Sequence, residues 1–204
     1  MRSKIIISLL FVLMLGLGNL ALAAQGELSF PITIKIAGDD IDLQGNNDTV
    51  VAFTPTKFNE VAFSNNESGQ PRSTLKNVGA ATVDYTVRAE IASGAWQLGS
   101  ETADNVSVLY AVFTRPLSFS NDGGEEKYRH DLTLADFGAE DIVTATAKVA
   151  TDEVFAISSQ EKAIKGYGVH PDSDRSLRYI LKTPLSGDAN EQTINVIIGA
   201  QISQ

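Results

Sequence analysis

Residues 71–91 read PRSTLKNVGAATVDYTVRAEI and decide the fold class. From Val83 to Ile91 the odd positions are apolar and the even positions are polar. This period of two predicts a strand with one buried face and one face in water. A shorter strand precedes it, and Asn77-Val78-Gly79 between the two predicts the turn of a β-hairpin. The segment is typical of a sheet protein and carries no group that names a chemical activity.

Similar patterns recur along the rest of the chain. Residues 28–36 and 194–202 have apolar side chains at every second position. Residues 106–113 are almost continuously apolar, which predicts a central strand covered on both faces. With the shorter candidates we expect roughly eight to ten strands and no convincing helix. The sequence therefore predicts an all-β fold, an antiparallel β-sandwich with one long insert loop.

The N-terminus predicts export. A cationic start is followed by an apolar run and by Ala21-Leu22-Ala23, which has small residues at the positions that signal peptidase reads. We therefore expect a signal peptide over residues 1–23, removed from a single β-sandwich domain over residues 24–204. A retained membrane anchor is the alternative, because the run is about long enough to cross a bilayer, but two glycines and an asparagine interrupt it. The expected location is secreted, either extracellular or periplasmic.

Composition excludes several classes of protein. The chain has no cysteine, which rules out disulfides, thiol catalysis and thiolate metal sites. Its formal net charge of −9 disfavours nucleic acid and anionic membranes, which need a basic surface. We expect no membrane contact after signal removal and a protein partner, which includes self-association through edge strands. The first strand, which bears Pro31, and the C-terminal strand are the predicted edges, since proline cannot donate a ladder hydrogen bond.

The two histidines offer little for catalysis. His130 lies in a polar loop, and His170 precedes a proline in a turn. A nucleophile elbow of the Gly-x-Ser-x-Gly type is missing from the sequence. We therefore predict a protein that is not an enzyme, with no catalytic residue and no cofactor.

Acidic groups and the single tryptophan leave a binding role open. Carboxylates cluster in residues 39–42, 122–126 and 172–174, but none has the spacing of a calcium loop, and solvated turns are the main interpretation. Trp96 either fills the core at one end of the fold or forms a stacking surface for a sugar. The sequence predicts no metal ligands, and the cation or glycan interpretation stays as an alternative.

Two stretches carry a family pattern. Residues 75–79 followed by residues 83–87 form a strand, Asn-x-Gly, strand arrangement. Residues 168–200 place a Val-His-Pro turn before a strand, a proline-containing loop and a last strand. Both resemble hairpins of secreted bacterial immunoglobulin-like modules of the adhesion-related and alpha-galactosidase-associated types. Asp172 stands where those modules usually have glycine, and the insert over residues 115–140 is longer than their usual loops.

The resemblance implies an immunoglobulin-like sandwich, an extracellular structural or adhesive setting, and no catalytic residues. The first functional hypothesis is thus a non-enzymatic structural or adhesive component of an extracellular or cell-surface assembly. The alternative is a monomeric extracellular binding module for a glycan or a divalent cation. Long connections are often functional, so we expect any local function in residues 115–140 rather than in the 71–91 stretch.

Overall fold

The computed structural model describes residues 32–38, 42–44, 50–53, 55–64, 73–114, 133–157 and 164–204. These residues form β1 (Ile32–Gly38), β2 (Asp42–Gln44), β3 (Val50–Phe53), β4 (Val61–Phe63), β5 (Ser73–Lys76), β6 (Val83–Ser93), β7 (Gln97–Leu98), β8 (Val106–Thr114), β9 (Lys148–Val149), β10 (Asp174–Lys182) and β11 (Gln192–Ile202). Two single 3-10 turns, Leu134–Asp136 and Ala139–Asp141, are fully described. The all-β prediction is confirmed, with eleven strands in the described ranges.

The strands form two sheets. Sheet A has the order β3-β1-β11-β6-β9, and sheet B has the order β2-β5-β10-β8-β7, with β4 pairing β10 as well. Most pairs are antiparallel, but β1 runs parallel to β11 and β7 runs parallel to β8. Both sheets are therefore mixed, whereas the sequence pattern predicted antiparallel pairing throughout.

The predicted hairpin at residues 71–91 is wrong, although both of its strands exist. β5 belongs to sheet B and β6 to sheet A, so the residues between them cross from one sheet to the other. Asn77 fixes this crossing: its side chain is buried, and Nδ2 donates to the carbonyl oxygens of Ala81 at 2.8 Å and Val169 at 2.9 Å. The hairpin that the resemblance implies over residues 168–200 is not formed either, because β10 and β11 also lie in different sheets.

The predicted sheet edges are also wrong. β1 lies between β3 and β11, and β11 lies between β1 and β6. The cause is the parallel pairing of the first and last strands, which runs from Ile32 opposite Gln192 to Gly38 opposite Ile198. The outermost described strands are β3 and β9 in sheet A, and β2 and β7 in sheet B.

One apolar core joins the inner faces of the two sheets. The odd positions of β6 are buried from Val83 to Ala89, as the alternation predicted. They meet every second residue of β8 and β10, and the ring of Tyr85 stacks on that of Phe113 with 5.5 Å between centroids. Trp96 belongs to the same core. Burial of these side chains is the main stabilising contribution in a chain without disulfides.

The opposite face of sheet B is buried as well. Val108, Tyr110, Val112 and Ile180 pack there against a second apolar cluster, which also contains Phe137, Ile142 and Ile157. Both faces of β8 are therefore covered, as its continuous apolar run predicted. Arg178 projects from this face at 2% exposure and donates from Nε and Nη2 to the carbonyl oxygen of Ser64 at 3.1 and 2.8 Å. Sheet B is thus the middle layer of the described structure.

The insert over residues 115–140 is described only from residue 133 onwards, and the predicted signal peptide is not described. Residues 133–157 contain the 3-10 turn Leu134–Asp136, the two-residue strand β9 and isolated bridges at Ile142 and Ala156. Residues 1–31 and 115–132 lie outside the described ranges. Among the residues that are described, none belongs to a helix long and apolar enough to cross a membrane.

Candidate functional site: a groove at one end of the sheets

A groove of about 360 Å³, lined by both polar and apolar residues, opens at one end of the molecule. One wall is the crossing segment from Asn77 to Ala81, and the other is the end of β11 from Ala200 to Ile202, with Val83 between them. Two large apolar side chains at the groove are unusually exposed: Val78 at 55% and Ile202 at 72%. We call this feature the end groove.

The β11 wall continues the inner face of sheet A. Ile194, Val196 and Ile198 are fully buried in the core, and Ala200 and Ile202 follow at the same period of two. Side chains two apart on a strand share a face, so the apolar stripe leaves the core and ends in solvent. β11 stays in register with β6 to this end, where Ile202 pairs with Val83. The groove is therefore an extension of the core surface rather than an isolated surface dent.

The opposite wall is fixed by hydrogen bonds. The Oδ1 atom of Asn77 accepts from the backbone N–H of Gly79 at 3.0 Å, while Nδ2 holds the carbonyl oxygens of Ala81 and Val169. The carbonyl oxygen of Asn77 accepts from the N–H of Asp172 at 2.8 Å. All polar atoms of this side chain are thus used to hold the segment that presents Val78. A site formed before a ligand arrives costs less ordering entropy when it binds.

The end of β11 lies beside the groove. The described pairing of β1 with β11 ends with Gly38 opposite Ile198, and β11 continues to Ile202, while residues 39–41 lie outside the described ranges. Gly199–Ile202 pairs with β6 on one side, and on the other side none of the described ranges pairs with it. Unpaired N–H and C=O groups at a strand edge are a template for a further strand. An extended segment that binds there would place alternate side chains towards the groove.

The described lining of the end groove is uncharged. It consists of Asn, Val, Gly, Ala, Gln and Ile, without an ionisable side chain. Close by, Lys76 and Asp172 neutralise each other across 3.3 Å. Proton transfer, nucleophilic attack and metal binding all need groups that this lining does not contain, whereas apolar burial and backbone pairing do not.

The candidates for catalysis or metal binding that lie in the described ranges are not brought together. His170 is exposed, and its Nδ1 lies 3.2 Å from the hydroxyl of Thr82. Asp172 pairs with Lys76, and the Oδ1 atom of Asp174 is buried without a hydrogen-bond partner. Within the described ranges, groups of three or more His, Asp or Glu placed to hold a metal ion are not found. His130 and the acidic residues 39–40 and 122–126 lie outside those ranges.

Trp96 has a structural role. Its side chain is 2% exposed, and its Nε1 donates to the carbonyl oxygen of Asp188 at 2.8 Å. Of the two interpretations of this residue, the core one is confirmed. A ring buried to this degree offers no face on which a sugar could stack.

Asp152 and two tyrosines, Tyr85 and Tyr167, are further titratable groups. Asp152 accepts hydrogen bonds from the phenol of Tyr167 and, at 3.2 Å, from Nζ of Lys165. Burial and the hydrogen bond to Asp152 raise the pKa of Tyr167 to about 12. Burial likewise raises the pKa of Tyr85 to about 12, so both phenols keep their protons at neutral pH. Neither is suited to act as a base.

Sequence reasoning missed the end groove. It took Asn77-Val78-Gly79 as a turn without a binding role, and it had no means to place Val78 beside Ile202. Two signals were present: an apolar residue inside a polar turn, and a C-terminal stripe that continues to residue 202. Comparisons with known protein families, with curated proteins and with solved structures found no match for this chain. The resemblance to immunoglobulin-like modules therefore stays a prediction.

Proposed function

We propose that this chain is a secreted, non-enzymatic β-sandwich of the immunoglobulin-like type that serves as a structural or adhesive component of an extracellular or cell-surface assembly. The observation that carries the proposal is the end groove, where the exposed apolar side chains of Val78 and Ile202 lie beside the end of β11. Contiguous exposed apolar patches on soluble proteins often mark interaction sites. The predicted signal peptide at residues 1–23 supports the location.

The proposed binding mode is strand addition. An extended partner segment pairs its backbone with Gly199–Ile202 and inserts an apolar side chain between Val78 and Ile202. Full burial of a valine or isoleucine is worth about 1.5–3 kcal/mol. Covering the exposed 55% of Val78 and 72% of Ile202 would thus contribute about 1–2 kcal/mol each. Backbone pairing and burial of the partner's own side chains add to this amount.

The alternative, a monomeric module for a glycan or a divalent cation, is less well supported. It depended on Trp96 and on the acidic loops. Trp96 is buried, and the acidic residues of the described ranges form no cluster of three. The end groove, with its uncharged lining, favours a protein partner over either ligand.

Selection of displayed peptides on the mature protein tests the docking role. We expect enriched peptides with apolar residues at alternating positions. Their binding should fall at least tenfold with Ile202→Asp, which puts a charge into the groove. Leu185→Asp is the matched control, because Leu185 is also an exposed apolar residue, at 49%, but does not line the groove. Equal loss with both variants, or no enrichment at all, would argue against the proposal.

The location has a separate test. The exported protein should begin at Ala24, which intact mass measurement on material from the periplasm and the medium would establish. A chain that keeps residues 1–23 and sediments with membranes would favour the retained-anchor alternative.

A further inference from the structure

We propose that the pair of β1 and β11 is a load-bearing clamp, through which this chain withstands tension applied before β1 and after β11. A structural or adhesive component that links two bodies is pulled from two sides, so resistance to tension is a property that such a component needs. The proposal goes beyond the docking role, because it depends on the pairing of β1 with β11 and on none of the contacts in the end groove.

The chain enters β1 and leaves β11 at opposite ends of sheet A. Because the two strands are parallel, both run from the end where Ile32 lies opposite Gln192 towards the end where Gly38 lies opposite Ile198. The chain leaves β11 at Ile202, which is ten residues further along this strand than Gln192, or about 33 Å at a rise of ~3.3 Å per residue. Tension applied before Ile32 and after Ile202 therefore acts along the strands and pulls them in opposite directions.

Tension in this direction loads the hydrogen bonds of the pair together. The bonds of a parallel pair are evenly spaced and cross from one strand to the other, so sliding one strand along its neighbour strains all of them at once. All seven residues of β1 pair with β11 in one continuous register. Peeling the strands apart from one end would instead break the bonds one after another, each under the full load.

The core holds β11 against sliding as well. Ile194, Val196 and Ile198 are fully buried between the sheets. Because protein interiors are close-packed, β11 cannot move along its own axis unless these side chains leave their sites, and a slip of one residue would turn them to the opposite face. On its other side β11 pairs with β6 as far as Ile202 opposite Val83, and the same pull slides it along that strand too.

The pair also shields the other strands from the load. β1 and β11 are the first and the last of the described strands, and β2 to β10 lie between them in the sequence. Tension applied outside the pair therefore reaches the other strands only after β1 and β11 have separated. Separation then frees the stretch from Ile32 to Ile202 in one step, which lengthens the chain by about 550 Å at ~3.3–3.6 Å per extended residue.

The direction of the pull can be chosen in an experiment, because the chain has no cysteine of its own. One handle is fused before Ala24 of the mature protein, and a single introduced cysteine carries the other. Gln204→Cys places the second handle after β11, so the pull shears the pair. Glu191→Cys places it directly before β11, at the end where β1 begins, so the pull peels the strands apart. Both residues are exposed, which makes the two variants a matched pair.

Single-molecule force spectroscopy compares the two variants at one pulling speed. Forced unfolding follows the rate of barrier crossing, so we expect an unfolding force roughly twofold higher or more through residue 204 than through residue 191. Urea denaturation of the untethered variants is the control, and their free energies of unfolding should agree because both keep the whole ladder.

The length released at the force peak locates the resistance. Through residue 204 we expect one main peak that releases the full stretch, about 550 Å at ~3.3–3.6 Å per residue. Equal forces in the two directions, or a higher force through residue 191, would overturn the proposal. A main peak that follows an earlier release of part of this length would also overturn it, because another element would then bear the load. None of these outcomes bears on peptide binding in the end groove, so the docking role is tested separately.

Discussion

The long strands of the two sheets differ in how they are buried, and the difference locates the candidate site. In sheet A, β6 and β11 alternate between buried and partly exposed positions. In sheet B, β8 and β10 are buried at nearly every position. In sheet B, β8 and β10 thus have both faces covered, whereas β6 and β11 of sheet A have one face in the core and one that is partly exposed.

Length adds to this difference. β6 and β11 have eleven residues each, and β8 and β10 have nine. The buried stripe of β11 ends at Ile198, and the exposed part of the strand beyond it forms a wall of the end groove. The sheet that is buried on one face therefore supplies the apolar surface left for a partner. The variants below test this division, starting from the largest expected effect.

The shared core should be the most sensitive part of the molecule. Phe113→Ala removes a ring that is fully buried, that stacks on Tyr85 and that lies against Gly166. Removing a buried phenylalanine side chain costs about 3–5 kcal/mol, because burial is lost and a cavity is left. Urea denaturation of the mature protein measures the loss. Leu134→Ala is the control, since this side chain is 39% exposed, and it should change the free energy of unfolding by less than about 0.5 kcal/mol.

The crossing between the sheets should be the next most sensitive. Asn77→Asp keeps the shape and the acceptor for the N–H of Gly79 but removes both hydrogen bonds from Nδ2. Each buried polar group left without a partner costs about 1–3 kcal/mol, so we expect a loss of about 2–4 kcal/mol in chemical denaturation. Asn59→Asp, at an exposed position, should be nearly neutral. A small loss for Asn77→Asp would mean that the groove wall can reorganise and is not preformed.

The sequence predicted correctly which faces of β6 and β8 are buried, but it did not predict which strands pair with each other. The period of two around Val83 and the continuous run after Val106 each report the environment of single residues, and both were interpreted correctly. Whether β6 pairs with β5 or with β11 depends on contacts far apart in the chain, which local patterns do not record. The same limit hid the site, because Val78 and Ile202 line one groove although they lie far apart in the sequence.

The outer layer on sheet B should respond to pH. Asp141 is 2% exposed; its Oδ2 accepts from the N–H of Gly138 at 2.7 Å and its Oδ1 from that of Ala156 at 3.1 Å. Asp141→Asn keeps the size of the side chain but cannot carry a charge, so it serves as the reference that does not titrate.

Burial raises the pKa of Asp141 in the folded protein, an effect that exceeds the opposing hydrogen bonds. A pKa above the unfolded value gives a contribution that is complete below the unfolded pKa and is lost as pH rises through the folded pKa. The wild type should therefore gain stability relative to Asp141→Asn as pH falls from 7 into the acid range. Denaturation at a series of pH values measures this, and a gap that narrows towards acid would contradict it.

The exposed face of sheet A should respond least. On β6, Nη1 of Arg88 lies 3.6 Å from Oε2 of Glu90, with side-chain exposures of 39% and 52%. An ion pair this exposed is worth about 0–1 kcal/mol, because water and salt screen it and both side chains lose freedom in forming it. Arg88→Ala should therefore change the free energy of unfolding by no more than about 0.5 kcal/mol, in low and in high salt. A loss above ~1.5 kcal/mol would require that this face is covered in the folded protein. The contrast between the sheets would then disappear, and with it the reason for seeking the partner at the end of sheet A.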